Sequence, residues 1–348
     1  MVSSDGLRVA VVGATGAVGT VMLRLLRERG FPAREIVPFA SERSVGRELG
    51  GGLVVAPLTD ETIQGFDVAL FSAGATRSRE WAPRFVSAGA VVVDNSSAFR
   101  LVDEVPLVVS EVNPEALDAH RGIVANPNCT TMVAMLPLKA LHDAFDLRAM
   151  VATSYQAAGG AGQKGIDELA GQVAPLAADV EQLCGDGAAA AAKVDHSVHA
   201  ATLAFNVVPL LGTLGDDDHT DEERKLRDES RKILGIGDLA VSPTCVRVPV
   251  MVGHGVAVRA TFAREVDLER ALEVLRAFPN LVVDEVPTPL QYAGRDEVAV
   301  GRVRRDLADP RSLNFFVVGD NLLKGAALNT VQLAEVLHER GLVGARVY

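Results

Sequence analysis

Cysteine is scarce in this chain, which has only three among 348 residues: Cys129, Cys184 and Cys245. An odd, widely spaced set argues against a disulfide framework, so we expect reduced thiols and a cytoplasmic protein. The N-terminus has no basic segment followed by a cleavable apolar stretch, which a secretory signal would need. Runs of about 18 apolar residues are also missing, and we therefore expect no transmembrane helix.

Positive charge is in deficit as well. Lys and Arg total 34 against 45 Asp and Glu, which gives a net charge of −11 at pH 7. Nucleic acid and anionic membranes require a basic patch, so we expect neither as a partner. A small anionic substrate stays compatible with this balance, because a few local arginines are enough to bind it.

Short apolar strands alternate with helical patterns in the first part of the chain. Val- and Ala-rich runs at 7–12, 67–74, 90–97 and 122–128 predict an α/β Rossmann-like domain with a parallel sheet. After about residue 130 the strands lengthen, and one apolar run covers 245–263, which indicates an α+β domain with a mixed sheet. Since this length exceeds what one core supports, we predict two domains, 1–128 plus 320–348 and 129–319.

Three glycines, Gly13, Gly16 and Gly19, stand between the first strand and the first helix. Glycine permits the tight turn and lets the backbone approach a pyrophosphate, while the helix N-terminus offers amides and a favourable dipole. An ordinary strand–helix turn is the simpler alternative. The context of strand, glycines and helix favours dinucleotide binding.

The segment after the second predicted strand bears on which dinucleotide is bound. Ser41, Arg43 and Ser44 suit the 2′-phosphate of NADP, whereas Glu42 suits the ribose diol of NAD. A solvated loop charge is the alternative interpretation of Arg43. We favour NADP and leave NAD open.

Cys129 occupies the predicted first turn of a buried helix, because 126–128 reads Asn-Pro-Asn and an apolar run follows. Helix dipole and free amides stabilise a thiolate there, which makes Cys129 a candidate nucleophile. Cys184 and Cys245 are interpreted as inert. A nucleophile needs a proton partner, and His254 is the candidate because glycines flank it at the end of an apolar strand. The other six histidines fall in charged helical patterns or probable loops.

Arg247 precedes His254 by seven residues in the same apolar run. Strict alternation in one strand would place the two side chains on opposite faces of the sheet. A break in the strand at Pro249, or a turn at Gly253, would interrupt this alternation and allow both side chains to lie on the same face. An ion pair on an edge strand is the alternative interpretation of Arg247.

Six segments together resemble the aspartate-semialdehyde dehydrogenase family, in its order and approximate spacing: VVGATGAVG, DNSSAFR, NPNCTT, SYQAAGGAG, CVRVPVMVGHG and DNLLKGAALNTVQ. The resemblance implies NADPH-dependent reduction of 4-phospho-L-aspartate to L-aspartate 4-semialdehyde with release of phosphate. It further implies a cysteine thioester, a homodimer formed through the second domain, and a place in lysine, threonine, methionine and diaminopimelate biosynthesis. The family more often has Ser-Gly where this chain has Gly159-Gly160.

The resemblance also implies roles for matching positions. Cys129 would be the nucleophile, His254 the general acid/base and Gln156 an orienting residue. Arg247 would bind the substrate carboxylate, Glu222 its amine, and Arg100 and Lys225 the phosphate, although the neighbouring Glu223 leaves the amine assignment open. Asn95 would be a further substrate contact. Cofactor contacts would come from Gly13, Thr15, Gly16, Ala17, Val18, Ser41, Arg43, Ser44, Gly159, Gly160 and Asn321. No metal is implied.

Other interpretations compete with this one. N-acetyl-γ-glutamyl-phosphate reductase shares the implied fold and chemistry but tends to have GCYPT around its cysteine, and glyceraldehyde-phosphate dehydrogenase shares only Cys-Thr-Thr. The segments DNSSAFR and RVPVMVGHG point away from both. A catalytically silent binding protein would be expected to lose Cys129 or His254, and both are present. A redox sensor would need a resolving thiol beside Cys129.

Overall fold

The structure is a computed structural model, and it describes residues 6–343. Its strands are β1 (Leu7–Val12), β2 (Ala33–Phe39), β3 (Glu48–Leu49), β4 (Leu53–Val54), β5 (Val68–Phe71), β6 (Val91–Asp94), β7 (Ile123–Ala125), β8 (Leu147–Gln156), β9 (Ala240–Arg247), β10 (His254–Phe262), β11 (Leu281–Val283), β12 (Val298–Arg305) and β13 (Ser312–Gly319).

The helices follow in the same order along the chain: α1 (Ala17–Glu28), α2 (Ala75–Ser87), α3 (Cys129–Phe145), α4 (Gln163–Ala177), α5 (Val180–Gly185), α6 (Gly187–Ala191), α7 (Asp221–Leu234), α8 (Leu268–Ala277), α9 (Pro289–Tyr292) and α10 (Leu328–Glu339). A single π-helical turn, Leu323–Ala327, leads into α10. Between residues 6 and 343, no helix is both long and apolar enough to cross a membrane.

The chain divides into two compact units. The first comprises Met1–Asn128, Lys232–Gly235 and Leu323–Tyr348, and the second comprises Cys129–Arg231 and Ile236–Leu322. Cys129 is thus the first residue of the second unit, and the last segment of the chain returns to the first unit.

The first unit is built on a five-stranded sheet in the order β2-β1-β5-β6-β7, with every pair parallel. Strands β5 and β6 are buried along their whole length, because helices cover both faces of a parallel sheet. One face packs against α1 and α10 through side chains such as Met22 and Val331. On the other face, Phe39 of β2 and Phe71 of β5 each meet the ring of Phe85 from α2 edge to face. The predicted Rossmann-like fold is confirmed.

The turn between β1 and α1 requires its glycines for steric reasons. Gly13 has a φ of +91°, and a Cβ there would lie 2.1 Å from the Ser72 carbonyl oxygen. A Cβ on Gly19 would lie 2.1 Å from the Gly13 carbonyl oxygen. Both distances are impossible for a side chain, so these glycines let α1 pack directly onto the strand that precedes it.

The second unit is built on a six-stranded sheet in the order β11-β12-β13-β10-β8-β9. The outer pairs β11/β12 and β8/β9 are parallel and the inner pairs antiparallel, which confirms the predicted mixed sheet. Helix α3 is buried from Thr130 to Leu138 and packs on β8, β10 and β13. Because α3 begins at Cys129, the thiol stands at the end of a helix that is anchored in this core.

The structure differs from the sequence prediction at 245–263, which forms two strands rather than one. Arg247 ends β9 and His254 begins β10, and β8 lies between these two strands in the sheet. Pro249 has no N–H to donate to a ladder, so pairing stops there. Gly253 has a φ of +100°, and a Cβ there would lie 2.8 Å from the Pro289 carbonyl oxygen.

Candidate active site

The thiol of Cys129 lies beside the imidazole of His254 in the second unit. Cys129 is the first residue of α3 and is partly exposed, and its Sγ is 3.2 Å from His254 Nε2. His254 opens β10 and is fully buried. The positive end of the α3 dipole lies at this sulfur, which favours its anionic form.

The main chain of one residue, Ala157, connects His254 with Arg247. The Ala157 N–H donates to His254 Nδ1 at 3.0 Å, and the Ala157 carbonyl oxygen accepts from Arg247 Nη1 at 2.7 Å. Ala157 follows β8 directly, and β8 is the strand between β9 and β10. The two side chains therefore meet although they belong to different strands, and alternation along one strand does not apply.

Gly160 keeps space open next to both side chains. A Cβ at Gly160 would lie 2.7 Å from Arg247 Nη1 and 3.2 Å from His254 Cε1. The neighbouring Gly159 donates its N–H to the Met251 carbonyl oxygen at 2.9 Å, and a Cβ on Gly159 would lie 2.8 Å from that oxygen. A Cβ at Gly159 would therefore meet backbone, whereas one at Gly160 would have to displace the Arg247 guanidinium.

Burial and charge set the protonation preferences of the two cationic side chains. Burial, followed by the positive charge of Arg247, lowers the pKa of His254 to about 3, against a smaller opposing effect of the Gly253 carbonyl. Burial also lowers the pKa of Arg247, while the negative charges of Cys129 and Glu222 oppose that shift. His254 is therefore neutral near pH 7, and Arg247 supplies the positive charge next to the sulfur.

Gln156, Glu222 and Lys225 form a polar cluster in the second unit. The buried Gln156 donates through Nε2 to Glu222 Oε1 at 3.3 Å and to Ser154 Oγ at 3.2 Å. Lys225 Nζ lies 3.2 Å from Glu222 Oε2 and 2.6 Å from Asp221 Oδ2. Partial burial alone would lower the pKa of Lys225, but the two carboxylates outweigh it and raise the pKa. The cluster presents one cation and a carboxylate that Gln156 orients.

Glu223, the alternative to Glu222, caps the helix. Thr220 N–H donates to Glu223 Oε2 at 2.9 Å and Glu223 N–H donates to Thr220 Oγ1 at 3.3 Å, which is a capping box at the start of α7. Glu223 also accepts from the Cys245 N–H at 3.3 Å. These bonds occupy Glu223, and Glu222 is the carboxylate that contacts Gln156.

His199 is a residue of this region that the sequence did not single out. It is buried, and its pKa is lowered by burial and by the charge of Arg247. The Glu168 carboxylate fixes its loop by accepting the backbone N–H groups of Ser197, Val198 and His199. His199 lies in a loop, as the sequence predicts, while the predicted surface position of His120 is wrong; both side chains are buried. No local pattern marks either position, because distant segments bury them.

The inert interpretation of Cys245 agrees with its surroundings. The side chain is buried in β9, and that burial raises the pKa of the thiol to about 12. Cys184 is exposed in α5. Among residues 6–343, no three or more His, Cys, Asp or Glu are grouped so that they could hold a metal ion.

Asn95, Arg100 and Asn126 form a second polar group, in the first unit, where parallel strands end. The buried Arg100 donates through Nε to the Asn126 carbonyl oxygen at 2.9 Å and through Nη2 to the Asn95 carbonyl oxygen at 3.0 Å. Asn126 Nδ2 donates to Asn95 Oδ1 at 2.6 Å, and Asn329 Nδ2 donates to Asn126 Oδ1 at 2.7 Å. In open parallel sheets, ligands bind at this carboxyl edge.

The predicted phosphate cradle lies at the same edge. Gly16 precedes α1, whose first residues are Ala17 and Val18, and the N–H of Gly13 donates to the Phe39 carbonyl oxygen at 2.8 Å. That bond ties the glycine turn to the end of β2. A short 3₁₀ turn follows there and places Ser41, Arg43 and Ser44 after the second strand, with Glu42 among them.

Asn321, which is predicted to contact the cofactor, lies in the second unit and forms a hydrogen bond with the main chain there. Its Oδ1 accepts the Gly253 N–H at 2.8 Å, directly before His254. The side-chain amide is therefore the part of Asn321 that is left to donate to a ligand.

Known proteins resemble the chain along nearly its whole length. The family described as semialdehyde dehydrogenase, NAD binding domain, matches residues 8–120, and that described as semialdehyde dehydrogenase, dimerisation domain, matches residues 138–324. The aspartate-semialdehyde dehydrogenase of Streptomyces akiyoshiensis is 52% identical over 337 residues, which cover 95% of this chain and 98% of that protein. That of Corynebacterium glutamicum is 52% identical over 340 residues, covering 94% and 98%.

The chain belongs to the aspartate-semialdehyde dehydrogenase family. It is thus an oxidoreductase with an NAD(P)-binding domain. A crystal structure of aspartate-semialdehyde dehydrogenase II from Vibrio cholerae, complexed with ASA, shares the fold at a TM-score of 0.89 and 40% identity, covering 97% of this chain and 99% of that one. The predicted resemblance to this family is therefore confirmed, and it is preferred to the two rival enzyme families considered from the sequence.

Proposed function

We propose that this enzyme reduces 4-phospho-L-aspartate to L-aspartate 4-semialdehyde with NADPH and releases phosphate, reversibly, in the cytoplasmic biosynthesis of lysine, threonine, methionine and diaminopimelate. The observation that carries the proposal is the contact of Cys129 Sγ with His254 Nε2 at 3.2 Å, at the start of α3. Arg247 and His254 both bond to the main chain of Ala157. These contacts support a nucleophile, a proton-bearing partner and a carboxylate ligand within one unit.

The chemistry proceeds through a thioester on Cys129. The thiolate attacks the acyl carbon, a C–S bond forms, and the bond from that carbon to the phosphate oxygen breaks. Phosphate leaves with the bonding electrons and takes one proton from solvent. When bound, NADPH supplies the hydride that reduces the thioester. The C–S bond then breaks, its electrons return to sulfur, and the aldehyde is released. A thiol is needed because a thioester accepts hydride far more readily than a carboxylate does.

Substrate binding is assigned to the polar side chains around the sulfur. Arg247 has five N–H donors and uses one on Ala157, so the remaining donors can hold the α-carboxylate of the substrate. Glu222, oriented by Gln156, is assigned to the substrate amine. Lys225 is assigned to the phosphate, and Arg100 with Asn95 in the first unit to phosphate and substrate, since hydrogen bonds hold each cation in one direction.

NADP fits the first unit on steric and chemical grounds. Gly13 and Gly19 keep the turn free of side chains, so backbone amides from Thr15 to Val18 can approach a pyrophosphate. Ser41, Arg43 and Ser44 at the end of β2 are assigned to the 2′-phosphate. Gly159, Gly160 and Asn321 are assigned to the nicotinamide half.

The preference for NADP over NAD is tested by comparing the KM for NADPH and for NADH in wild type and in Arg43→Ala. Only the KM for NADPH should rise in the variant.

A homodimer through the second unit is supported by an uncovered face of its sheet. Strand β8 alternates so that Met150, Ala152 and Ser154 are buried, while Val151 is 47% and Tyr155 36% exposed. Exposed apolar side chains in a sheet are typical of an interface. Sedimentation of wild type and Val151→Asp tests this: the wild type should sediment as a dimer, and the aspartate variant should dissociate at higher concentration.

The decisive experiment for the reaction is an acid quench with substrate labelled in the aspartyl carbon chain. Wild type should trap label on Cys129, and Cys129→Ala should trap none and lose reductase activity. The matched control is Cys184→Ala, which removes the exposed thiol of α5 and should trap label as wild type does. Retained activity in Cys129→Ala would end the proposal.

A further inference from the structure

We propose that Asn329, a buried residue of α10, is a positioning residue for the anion site of the first unit. It acts through two further asparagines: Asn329 orients Asn126, and Asn126 orients Asn95 so that Asn95 presents an N–H donor to the anion. We call these three side chains the amide relay, and all of them belong to the first unit. The inference deepens the proposed function and rests on its assignment of Arg100 and Asn95 to phosphate.

The first step is the carboxamide of Asn329, which the main chain holds in one orientation. Its Oδ1 accepts the Ser110 N–H at 3.0 Å, and its Nδ2 donates to the Val108 carbonyl oxygen at 2.9 Å. A peptide N–H only donates and a carbonyl oxygen only accepts, so a flipped carboxamide would lose both bonds. Lys324 Nζ lies 3.1 Å from the same Oδ1 and can only donate, which favours the same orientation.

A π-helical turn brings Lys324 and Asn329 together. The turn covers Leu323–Ala327 and leads directly into α10. Residues five apart would stand about 140° apart around an α-helix, whereas the i→i+5 bonds of a π turn bring them to the same side. The buried ammonium is paired with Glu111 and also donates to Gln332 Oε1, so it is held in place. The irregular turn therefore contributes to fixing the first side chain of the amide relay.

The orientation of Asn329 determines that of the next two side chains. Its Nδ2 also donates to Asn126 Oδ1 at 2.7 Å, so Asn126 must turn its oxygen towards α10. Asn126 Nδ2 then lies on the other side of its carboxamide and donates to Asn95 Oδ1 at 2.6 Å. Asn329 and Asn126 are fully buried, so water does not compete for these bonds. With its oxygen occupied, Asn95 has its Nδ2 group left to donate to a ligand.

The donor that Asn95 presents stands beside a fixed positive charge. Arg100 donates through Nη2 to the Asn95 carbonyl oxygen at 3.0 Å and through Nε to the Asn126 carbonyl oxygen at 2.9 Å. A cation and an adjacent N–H donor both attract a phosphate. If Asn95 were flipped, its Oδ1 would face the anion and repel it. The amide relay thus determines the sign of the partial charge that Asn95 offers to the anion.

The test is the affinity of the resting full-length enzyme for inorganic phosphate, measured by titration calorimetry. Asn329→Asp keeps the shape of the side chain but replaces Nδ2 by an oxygen, which forces Asn126 and then Asn95 to flip. We expect the Kd for phosphate to rise about 10- to 100-fold, the range for losing a hydrogen bond to a charged group. Wild-type affinity in this variant would overturn the inference, and so would a wild-type enzyme that binds no phosphate.

The matched control is Asn113→Asp, at a carboxamide with the same kind of main-chain contacts. Asn113 is buried, its Oδ1 accepts the Val109 N–H, and its Nδ2 donates to the Leu107 carbonyl oxygen, each at 2.9 Å. These partners are the chain neighbours of those of Asn329, and the variant introduces the same charge. We expect a comparable fall in melting temperature with wild-type phosphate affinity. A loss of affinity as large as that of Asn329→Asp would show damage to this segment and overturn the inference.

Double variants separate an effect through Asn95 from an effect of charge or packing. In the Asn95→Ala background the amide relay lacks its last side chain, so adding Asn329→Asp should raise the Kd for phosphate by no more than about twofold further. Additive losses would overturn the inference, because the substitution in α10 would then act independently of Asn95. Asn126→Asp should give the same pattern; it leaves the main-chain bonds of Asn329 intact and provides the test if Asn329→Asp does not fold.

Steady-state kinetics in the phosphorylating direction give a second readout. Asn329→Asp should raise the KM for phosphate by the same factor as the Kd, while the KM for NADP and kcat at saturating phosphate stay near wild type. A fall in kcat with an unchanged KM for phosphate would show that Asn329 only supports the fold, and would overturn the inference. Calorimetry requires no turnover, so it decides on the amide relay even if the acid quench overturns the proposed thioester.

Discussion

Replacing Gly160 by alanine tests the close packing around Arg247 and His254 directly. The new Cβ would lie 2.7 Å from Arg247 Nη1, 3.2 Å from His254 Cε1 and 3.3 Å from His254 Nε2. The guanidinium is the more flexible group and must move, so its hydrogen bond to the Ala157 carbonyl oxygen breaks first. A hydrogen bond from a charged donor contributes about 1.5–3 kcal/mol. We therefore expect kcat/KM for the amino-acid substrate to fall about 10- to 100-fold.

The assay is nicotinamide absorbance under varied substrate concentration, with thermal unfolding of the same preparations. The matched control is Gly171→Ala in α4, where the position is exposed and a Cβ would meet nothing within 4 Å. Alanine there should raise stability by about 0.5–1 kcal/mol and leave turnover unchanged. Wild-type kcat/KM in Gly160→Ala would refute this account, because the guanidinium would then have moved without any loss of substrate binding or turnover.

Three further predictions concern stability. Burial lowers the pKa of His254 to about 3, so between pH 6.5 and 3 the unfolded chain binds more protons than the folded one. The free energy of unfolding should therefore fall as the pH falls from 6.5 towards 3, by up to about 1.4 kcal/mol per pH unit. The variant His254→Gln should flatten that part of a profile of melting temperature against pH. Lys324→Met removes a fully buried cation paired with Glu111 and should cost about 3–5 kcal/mol in denaturant unfolding; a smaller change would mean that the pair is solvated. Glu223→Ala removes one half of the capping box and should cost about 1 kcal/mol while sparing KM, in contrast to Glu222→Gln, which should raise KM for the substrate.

The features that local geometry dictates could be predicted from the sequence. Gly13 and Gly19 indicate the strand–turn–helix because no side chain fits at either position. Val-rich runs indicate a parallel sheet because helices bury both faces of such strands. Cys129 at a helix start follows from the Asn-Pro-Asn that precedes it, and α3 begins at that residue.

The arrangement of the site depends on contacts that leave no local pattern. Arg247 and His254 look like members of one strand, and only the pairing of β8 between β9 and β10 shows that they approach from separate strands. Glu222 and Glu223 are equivalent in sequence, and their different tasks emerge from the partners that each one meets across the fold. His199 is buried by the loop that Glu168 holds, which involves residues about thirty positions away.

The use of both main-chain polar groups of Ala157 has a consequence for how this site can be studied and how it can vary. Its contribution resides in main-chain atoms, so an alanine scan has nothing to remove at position 157 and would score the residue as silent. Replacing Ala157 by the corresponding α-hydroxy acid would delete the N–H and keep the carbonyl, which releases the His254 ring while Arg247 stays bound. Side-chain identity at this position can then drift as far as packing allows, while the main-chain bonds to His254 and Arg247 are kept.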